Sequence, residues 1–137
     1  MTDGGPTAKP PSRADVIGGI ERLALSADAK ALLAQIADTS TTVGGQIIYI
    51  GRRIIGFILD LLRSFPNTAF GLIAGFVVAT LIASIPLVGA LIGPLLTPLL
   101  LALGIAKGAL ADLQQGEIGQ RVAMLEGELR AIEGGVA

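Results

Sequence analysis

Three residue types are missing from this 137-residue sequence, which contains no cysteine, no histidine and no tryptophan. Without cysteine and histidine there are no disulfides, thiolate nucleophiles or imidazole general bases, and the usual zinc and iron ligands are lacking. Aromatic residues make up only 4% of the chain, so stacking surfaces for bases or sugars are also scarce. These absences exclude the commonest catalytic and metal-binding arrangements. We expect no cofactor, no metal site and no enzymatic activity.

Charge is also scarce, since charged residues account for 15% of the sequence and the formal net charge is −1. No block of basic residues offers the electrostatic footprint that nucleic acid requires, so nucleic acid is not an expected partner. Hydrophobic residues reach 52%, and the mean hydropathy of +0.73 is high for a water-soluble chain of this length. The excess of apolar side chains predicts that part of the chain lies in lipid.

The first part of the chain divides into a short lead and a helical region. Residues 1–12 contain three prolines and no apolar run, which is typical of a disordered, uncleaved lead and not of a secretory signal peptide. Residues 13–38 have helical spacing, with Ser12 and Ser26 as predicted N-caps. We predict an amphipathic helix or helix pair that packs on itself or on a partner.

Residues 42–64 are predicted to form an interfacial amphipathic helix. At 100° per residue the polar side chains fall on one narrow arc, and isoleucine, leucine and phenylalanine fill the rest of the surface. In such a helix the apolar side chains sink into lipid while guanidinium groups stay among the phosphates. A core helix of a soluble bundle would show the same pattern. The predicted membrane-interface residues are Tyr49, Arg52, Arg53, Arg63 and, beyond the hydrophobic stretch, Lys107.

The most informative feature is a run of 43 residues without charge, from Ser64 to Ala106. One bilayer core takes about 20 helical residues, so the run is long enough for two passes. The Ser84–Pro86 segment interrupts it near the middle, which predicts a hydrophobic transmembrane or re-entrant helical hairpin over residues 65–106. The sequence leaves open whether the turn reaches the far headgroup layer.

The distribution of positive charge predicts the orientation of the two passes. Arg52, Arg53 and Arg63 precede the first pass and Lys107 follows the second, so the cations lie at the same end of both. By the positive-inside tendency, both termini are expected in the cytoplasm, with the protein integral to an inner or plasma membrane.

Small residues recur every four positions in both predicted passes. Grooves of this kind let helix backbones approach closely, and the two grooves can pair within one hairpin or between chains. Pro94 and Pro98 each remove an amide donor, so a kink or a partly unwound turn is expected in the second pass. The predicted helix-packing residues are Gly71, Gly75, Ala79, Ala83, Gly89 and Gly93.

The chain becomes polar after the hydrophobic run, and residues 107–134 predict an amphipathic helix with a short heptad seam. Glu117 and Glu126 each precede an arginine by four residues, an order that supports an exposed helix outside the membrane. The seam spans about two heptads, so it predicts either a coiled coil between chains or packing onto the N-terminal helices. The predicted oligomerisation seam consists of Ile118, Val122, Leu125, Leu129 and Ile132.

The sequence therefore predicts an all-α fold, a membrane-embedded helical hairpin flanked by amphipathic helices. In architecture alone this resembles pore-forming toxin hairpins, phage holins and membrane-shaping hairpin proteins. The leading hypothesis is a homo-oligomeric structural, scaffolding or bilayer-shaping protein whose partner is the lipid bilayer. The alternatives are a permeabilising protein, an anchor or regulatory subunit of a larger membrane protein, and a soluble helical protein with an apolar core. A permeation path would be lined by Thr80, Ser84 and Thr97.

Overall fold

The computed structural model describes residues 11–105, 107–114 and 116–134. Within these ranges the chain is helical apart from two short strands, so the predicted all-α class is confirmed. Residues 1–10 of the predicted N-terminal lead lie outside the described part. In chain order the elements are α1 (Arg13–Glu21), α2 (Ala27–Ala37), β1 (Thr41–Val43), β2 (Gln46–Ile48), α3 (Ile50–Ser64), α4 (Phe70–Ser84), α5 (Pro86–Leu103), a 3-10 helix η1 (Lys107–Leu113) and α6 (Glu117–Gly134).

The first two helices begin at the two serines that the sequence predicts as caps. The Ser12 hydroxyl accepts a hydrogen bond from the Asp15 amide, and the Ser26 hydroxyl accepts one from the Ala29 amide, both at 3.1 Å. Each serine has extended backbone angles, as an N-cap requires. Both cap predictions are confirmed, and the 13–38 region is a pair of helices.

Residues 41–48 differ from the sequence expectation, which placed position 42 onward in the amphipathic helix. They form an antiparallel hairpin in which Thr42 pairs with Ile47. Gly44 and Gly45 make the two-residue turn, with φ of 58° and 81°. Two consecutive positive φ values favour a tight hairpin turn over a helix, and the flanking residues are mostly β-branched. The helix α3 therefore starts at Ile50, directly after Tyr49.

The centre of the fold is α4, which contacts α3, α5, η1 and α6. Residues 73–78 of α4 are buried without interruption, and a helix that is apolar all round requires cover on every side. One part of this cover is the apolar face of α3. Ile54 and Ile58 lie on that face, and neither has any exposed surface. The most hydrophobic part of α4 thus forms the core of the chain.

The joint between α4 and α5 is a single residue, Ile85, in extended conformation, and Pro86 occupies the first turn of α5. Proline is favoured there because the first amides of a helix have no helical partner. The backbone stays helical through Pro94 and Pro98, so the partly unwound turn does not occur. At the other end the helix stops at Gly104, whose φ of 71° is left-handed, and the Ile105 amide donates to the Leu100 carbonyl at 3.0 Å. This glycine cap had not been predicted.

The lengths of α4 and α5 bear on the predicted transmembrane or re-entrant hairpin. The helix α5 has 18 residues, and α4 has 15 residues, which at about 1.5 Å per residue correspond to roughly 27 and 22 Å. Among the described residues, α5 is the one helix long and apolar enough to cross a membrane. An apolar core helix meets the same criterion, so the surroundings of α5 are the informative part of the structure.

Candidate functional site

The helix α5 is covered on one side only. It packs against α4 and α2, and most of its 18 residues keep exposed or half-exposed surface. The four buried residues of α5 are Val88, Ile92, Leu99 and Leu100. A wide part of this apolar helix therefore faces away from the bundle.

The exposed side of α5 carries no charge. The exposed residues of α5 recur at spacings of three and four, which places them on one helical face. The large hydrophobic side chain with the most exposed surface on this face is Leu101, at 77%. Thr97 supplies the one polar side chain of this set. We call this surface the outer face of α5, and it consists of Pro86, Ala90, Pro94, Thr97, Pro98 and Leu101.

The two internal prolines lie on the outer face. Because proline has no amide hydrogen, Pro94 and Pro98 leave the carbonyls of Ala90 and Pro94 without their usual helical donors. Thr97 lies on the same face, and a helical threonine hydroxyl can donate to a carbonyl three or four residues earlier. The outer face thus combines apolar side chains with two backbone acceptors and one hydroxyl.

A shallow groove of about 530 Å³ borders the outer face where α5 packs on α2. Asp28 and Gln35 supply its polar groups, and the remaining lining side chains are apolar. From α2 the lining residues are Asp28, Ala31, Leu32 and Gln35, and from α5 they are Pro98, Leu101 and Ala102.

The first predicted small-residue groove is filled by side chains of the same chain. A Cβ placed at Gly75 would lie 3.0 Å from Leu100 Cδ2 and 3.2 Å from Leu110 Cδ2. A Cβ at Gly71 would lie 3.3 Å from Ile105 Cδ1. The start of α4 therefore packs closely against the end of α5 and against η1.

The second predicted groove has different surroundings. A Cβ at Gly89 would lie 3.1 Å from the Ile82 carbonyl oxygen, whereas a Cβ at Gly93 would meet nothing within 4 Å. Ala79 is half-buried and Ala83 is exposed. The contacts of Gly71 and Gly75 are with leucine and isoleucine side chains, so the two grooves do not pair with one another inside the chain.

The predicted interface residues are divided between open surface and contacts with α6. The Arg52 guanidinium lies 4.0 Å from the centre of the Tyr49 ring, and Arg63 pairs with Asp60 at 3.2 Å with both side chains exposed. Arg53 forms an ion pair with Glu128 of α6, and its side chain is only 12% exposed. The side chain of Lys107 lies outside the described part of the structure.

The predicted seam of α6 packs within the same chain. Leu129 has no exposed surface and Val122 has 1%, while Ile132 is partly buried against the core. The helix α6 packs mainly on α4 and η1, and it reaches α3 through Arg53–Glu128. The stripe thus packs mainly on the hydrophobic core helix α4, a partner that neither of the two predicted alternatives named.

Two arginines of α6 contact distant parts of the chain in ways that the sequence does not predict. The Arg121 guanidinium donates to the Ser64 hydroxyl at 3.1 Å and lies 5.2 Å from the centre of the Phe65 ring. The Arg130 guanidinium donates to the Ser84 carbonyl at 3.4 Å. The sequence pairs both arginines only with glutamates of their own helix, and no local signal points to partners this far away.

The polar residues predicted to line a permeation path are Thr80, Ser84 and Thr97. Thr80 and Ser84 are half-buried and Thr97 is exposed. In the parts of the chain that the structure describes, no three carboxylates lie close enough together to hold a metal ion.

Comparisons with protein-family models, with curated proteins and with solved structures gave no match to this chain.

Proposed function

We propose that this chain is a small non-enzymatic membrane protein that associates with the lipid bilayer through α5 and has a structural or bilayer-shaping role. The outer face of α5 is the observation that carries the proposal. This surface runs along an 18-residue helix, has no charged side chain and is left uncovered by the described residues.

Lipid contact is a physically reasonable use of such a surface. Apolar surface gains roughly 25 cal/mol per Å² when it leaves water, and extended exposed apolar patches mark interaction sites. The carbonyls freed by Pro94 and Pro98 would be costly in hydrocarbon without donors. The Thr97 hydroxyl and water at the headgroup layer are available donors, which favours an outer face that lies close to the interface.

Self-association, where it occurs, is proposed to use the outer face as well. The groove at Gly71 and Gly75 is filled, and the stripe of α6 is buried. Gly93 remains open and lies next to Thr97 on α5. Close helix contact in lipid favours small residues of this kind.

A matched pair of alanines tests bilayer association. Ala90 lies on the outer face of α5 and Ala123 on the solvent side of α6, and both are exposed. A charge costs about 2.5–3.5 kcal/mol at the centre of a membrane-embedded helix and less toward its ends, so Ala90→Glu is expected to weaken binding in a vesicle flotation assay. Ala123→Glu should float like the parent chain.

The same assay contains the result that would overturn the proposal. If the parent chain stays monodisperse in detergent-free buffer and does not float with vesicles, the soluble alternative is correct. Release of an encapsulated dye during binding would instead favour the permeabilising alternative.

We further propose that the chain is located in an inner or plasma membrane and that both of its termini lie in the cytoplasm. The chain has no native cysteine, so single thiols introduced by Ser84→Cys and Gly108→Cys report sidedness without background. In oriented vesicles the Gly108→Cys thiol is expected to react from the cytoplasmic side. Equal reaction of that thiol from both sides would contradict the orientation.

A further inference from the structure

The hydrophobic helix α4 is enclosed by neighbours that differ in how firmly they are attached. The helix α3 buries six residues, and it packs on α1 and α2 as well as on α4. The helix α6 is the last described element, and it packs mainly on α4 and η1. Its contacts with α3 include the Arg53–Glu128 ion pair and the hydrogen bond from Arg121 to Ser64. Its release would uncover one side of α4 while leaving the packing among α1, α2, α3 and α5 intact.

The attachment of α6 combines an apolar stripe with a few polar contacts. The helix α6 is amphipathic, because its apolar stripe is buried while residues on the opposite face, such as Ala123 and Met124, are exposed. Of the described ion pairs, Arg53–Glu128 is the one that joins α6 to the rest of the bundle, and it is partly shielded, with side chains 12% and 31% exposed. Breaking a partly shielded pair costs more than breaking a fully exposed one, because the remaining charge is left partly desolvated without a partner.

The other polar contacts of α6 are easier to exchange. Arg121 also pairs with Glu117 at 3.1 Å, and Arg130 also pairs with Glu126 at 3.6 Å. Both arginines therefore keep a carboxylate on their own helix when α6 moves away. Glu128 has no arginine or lysine three or four residues away on α6, so it loses its described partner Arg53 when α6 moves away.

We infer that α6 is a detachable cover over α4, closed by the Arg53–Glu128 pair, and that its release lets α4 follow α5 into lipid. The inference rests on the proposed function. The closed state is the one described here, in which Val122 and Leu129 pack in the core. In the open state the apolar stripe of α6 and one side of α4 lose their mutual contact, and lipid takes its place on α4.

A charge exchange tests the closing pair without removing either side chain. Arg53→Glu places two carboxylates opposite one another and is expected to open the cover. The double variant Arg53→Glu with Glu128→Arg restores an ion pair in reverse and is expected to close it again. Arg63→Glu is the matched control, because Arg63 lies on the same helix and pairs with Asp60 on the exposed surface.

Thiol labelling in solution reports whether the cover opens. Val77 on α4 lies about two helical turns before Ser84, whose carbonyl accepts a hydrogen bond from Arg130 of α6. Ala37, by contrast, lies on α2. Neither side chain has exposed surface, so each is replaced in turn by cysteine in an otherwise cysteine-free chain. Arg53→Glu should raise the labelling rate at Val77→Cys by roughly tenfold, a change of about 1.4 kcal/mol in the opening equilibrium. Labelling at Ala37→Cys should stay at the parent rate. An equal rise at both positions means global unfolding and overturns the inference.

A second experiment, with lipid vesicles, distinguishes an error in the inferred opening of α6 from an error in the proposed function. Fluorophores are attached through Thr80→Cys on α4 and, in a second sample, through Ala90→Cys on α5, and vesicles carry nitroxide-labelled lipid. The inference is supported by two results together. The fluorophore at position 90 is quenched in every variant, and quenching at position 80 is enhanced by Arg53→Glu and reversed by the double variant. Quenching at position 90 with no change at position 80 overturns the cover alone. No quenching at position 90 in any variant overturns bilayer association itself.

Discussion

A side chain at Gly51 would collide with the backbone of Ile36, because a Cβ there would lie 1.7 Å from the Ile36 carbonyl oxygen. The Gly51 amide also donates to the Thr39 carbonyl at 3.0 Å. The first turn of α3 therefore rests directly on the end of α2, and the β-hairpin spans the connection between them. This close approach positions α3 against both α2 and the core helix α4.

Replacement of Gly51 by alanine is expected to destabilise the fold. The new methyl group must displace backbone, so we expect a loss of about 1–3 kcal/mol or more in the free energy of unfolding. Gly18→Ala in α1 is the control, since a Cβ there meets nothing within 4 Å. Alanine should stabilise that helix by about 0.5–1 kcal/mol. Denaturant unfolding followed by circular dichroism measures both, and equal effects would contradict the described contact.

The two small-residue grooves should respond differently to a bulky side chain. Gly75→Leu forces apart the contacts with Leu100 and Leu110, and we expect a loss of about 1–3 kcal/mol in stability. Gly93→Leu faces open space and should leave thermal unfolding nearly unchanged. Native mass spectrometry in detergent adds the second readout, since Gly93→Leu should reduce any oligomer that forms through the outer face. An oligomer lost only in Gly75→Leu, with stability intact, would show that the groove at Gly75 binds a second chain.

Truncation of Leu129 tests whether the α6 stripe belongs to the interior of the chain. Because this side chain has no exposed surface, Leu129→Ala should cost about 2–5 kcal/mol. Met124→Ala, on the same helix at 71% exposure, should stay within about 0.5 kcal/mol of the parent. Denaturation midpoints at several protein concentrations check the result, and a Leu129→Ala effect that appears only at high concentration would indicate a seam between chains.

The pH dependence of stability should reveal the ion pair between α1 and α2. Arg13 Nε donates to Asp38 Oδ1 at 2.6 Å, and Arg13 Nη2 donates to Oδ2 at 3.2 Å. The hydrogen bond from Arg13 lowers the pKa of Asp38, so the pair contributes stability above the pKa of the unfolded carboxyl, about 3.9. This contribution is lost as the pH falls through the lower pKa of the folded state.

Asp38→Asn is therefore expected to be less stable than the parent at neutral pH and equally stable in strong acid. Thermal unfolding of both chains from pH 7 to pH 2 checks the convergence. A difference that stays constant across this range would show that the loss comes from packing and not from the charge.

Much of the fold follows from local sequence signals. The caps at Ser12 and Ser26 and the break before Pro86 depend on residues within about one helical turn, so they are legible without a structure. The turn at Gly44 and Gly45 is equally local. A helix that starts at position 42 extends the pattern too far, because the helical spacing runs only from Tyr49 to Arg63.

The sequence alone determined that α4 and α5 are uncharged and that α3 and α6 each have one apolar face, since composition and spacing specify which surfaces avoid water. Only the tertiary structure decided which surface covers which. An apolar stripe predicts that a helix face is buried but does not identify the element that buries it. The Arg53–Glu128 pair is equally hard to predict, because it joins residues 75 positions apart. The fold encloses α4 and leaves one face of α5 open because α3, α5, η1 and α6 all pack on α4, whereas α5 packs mainly on α4 and α2.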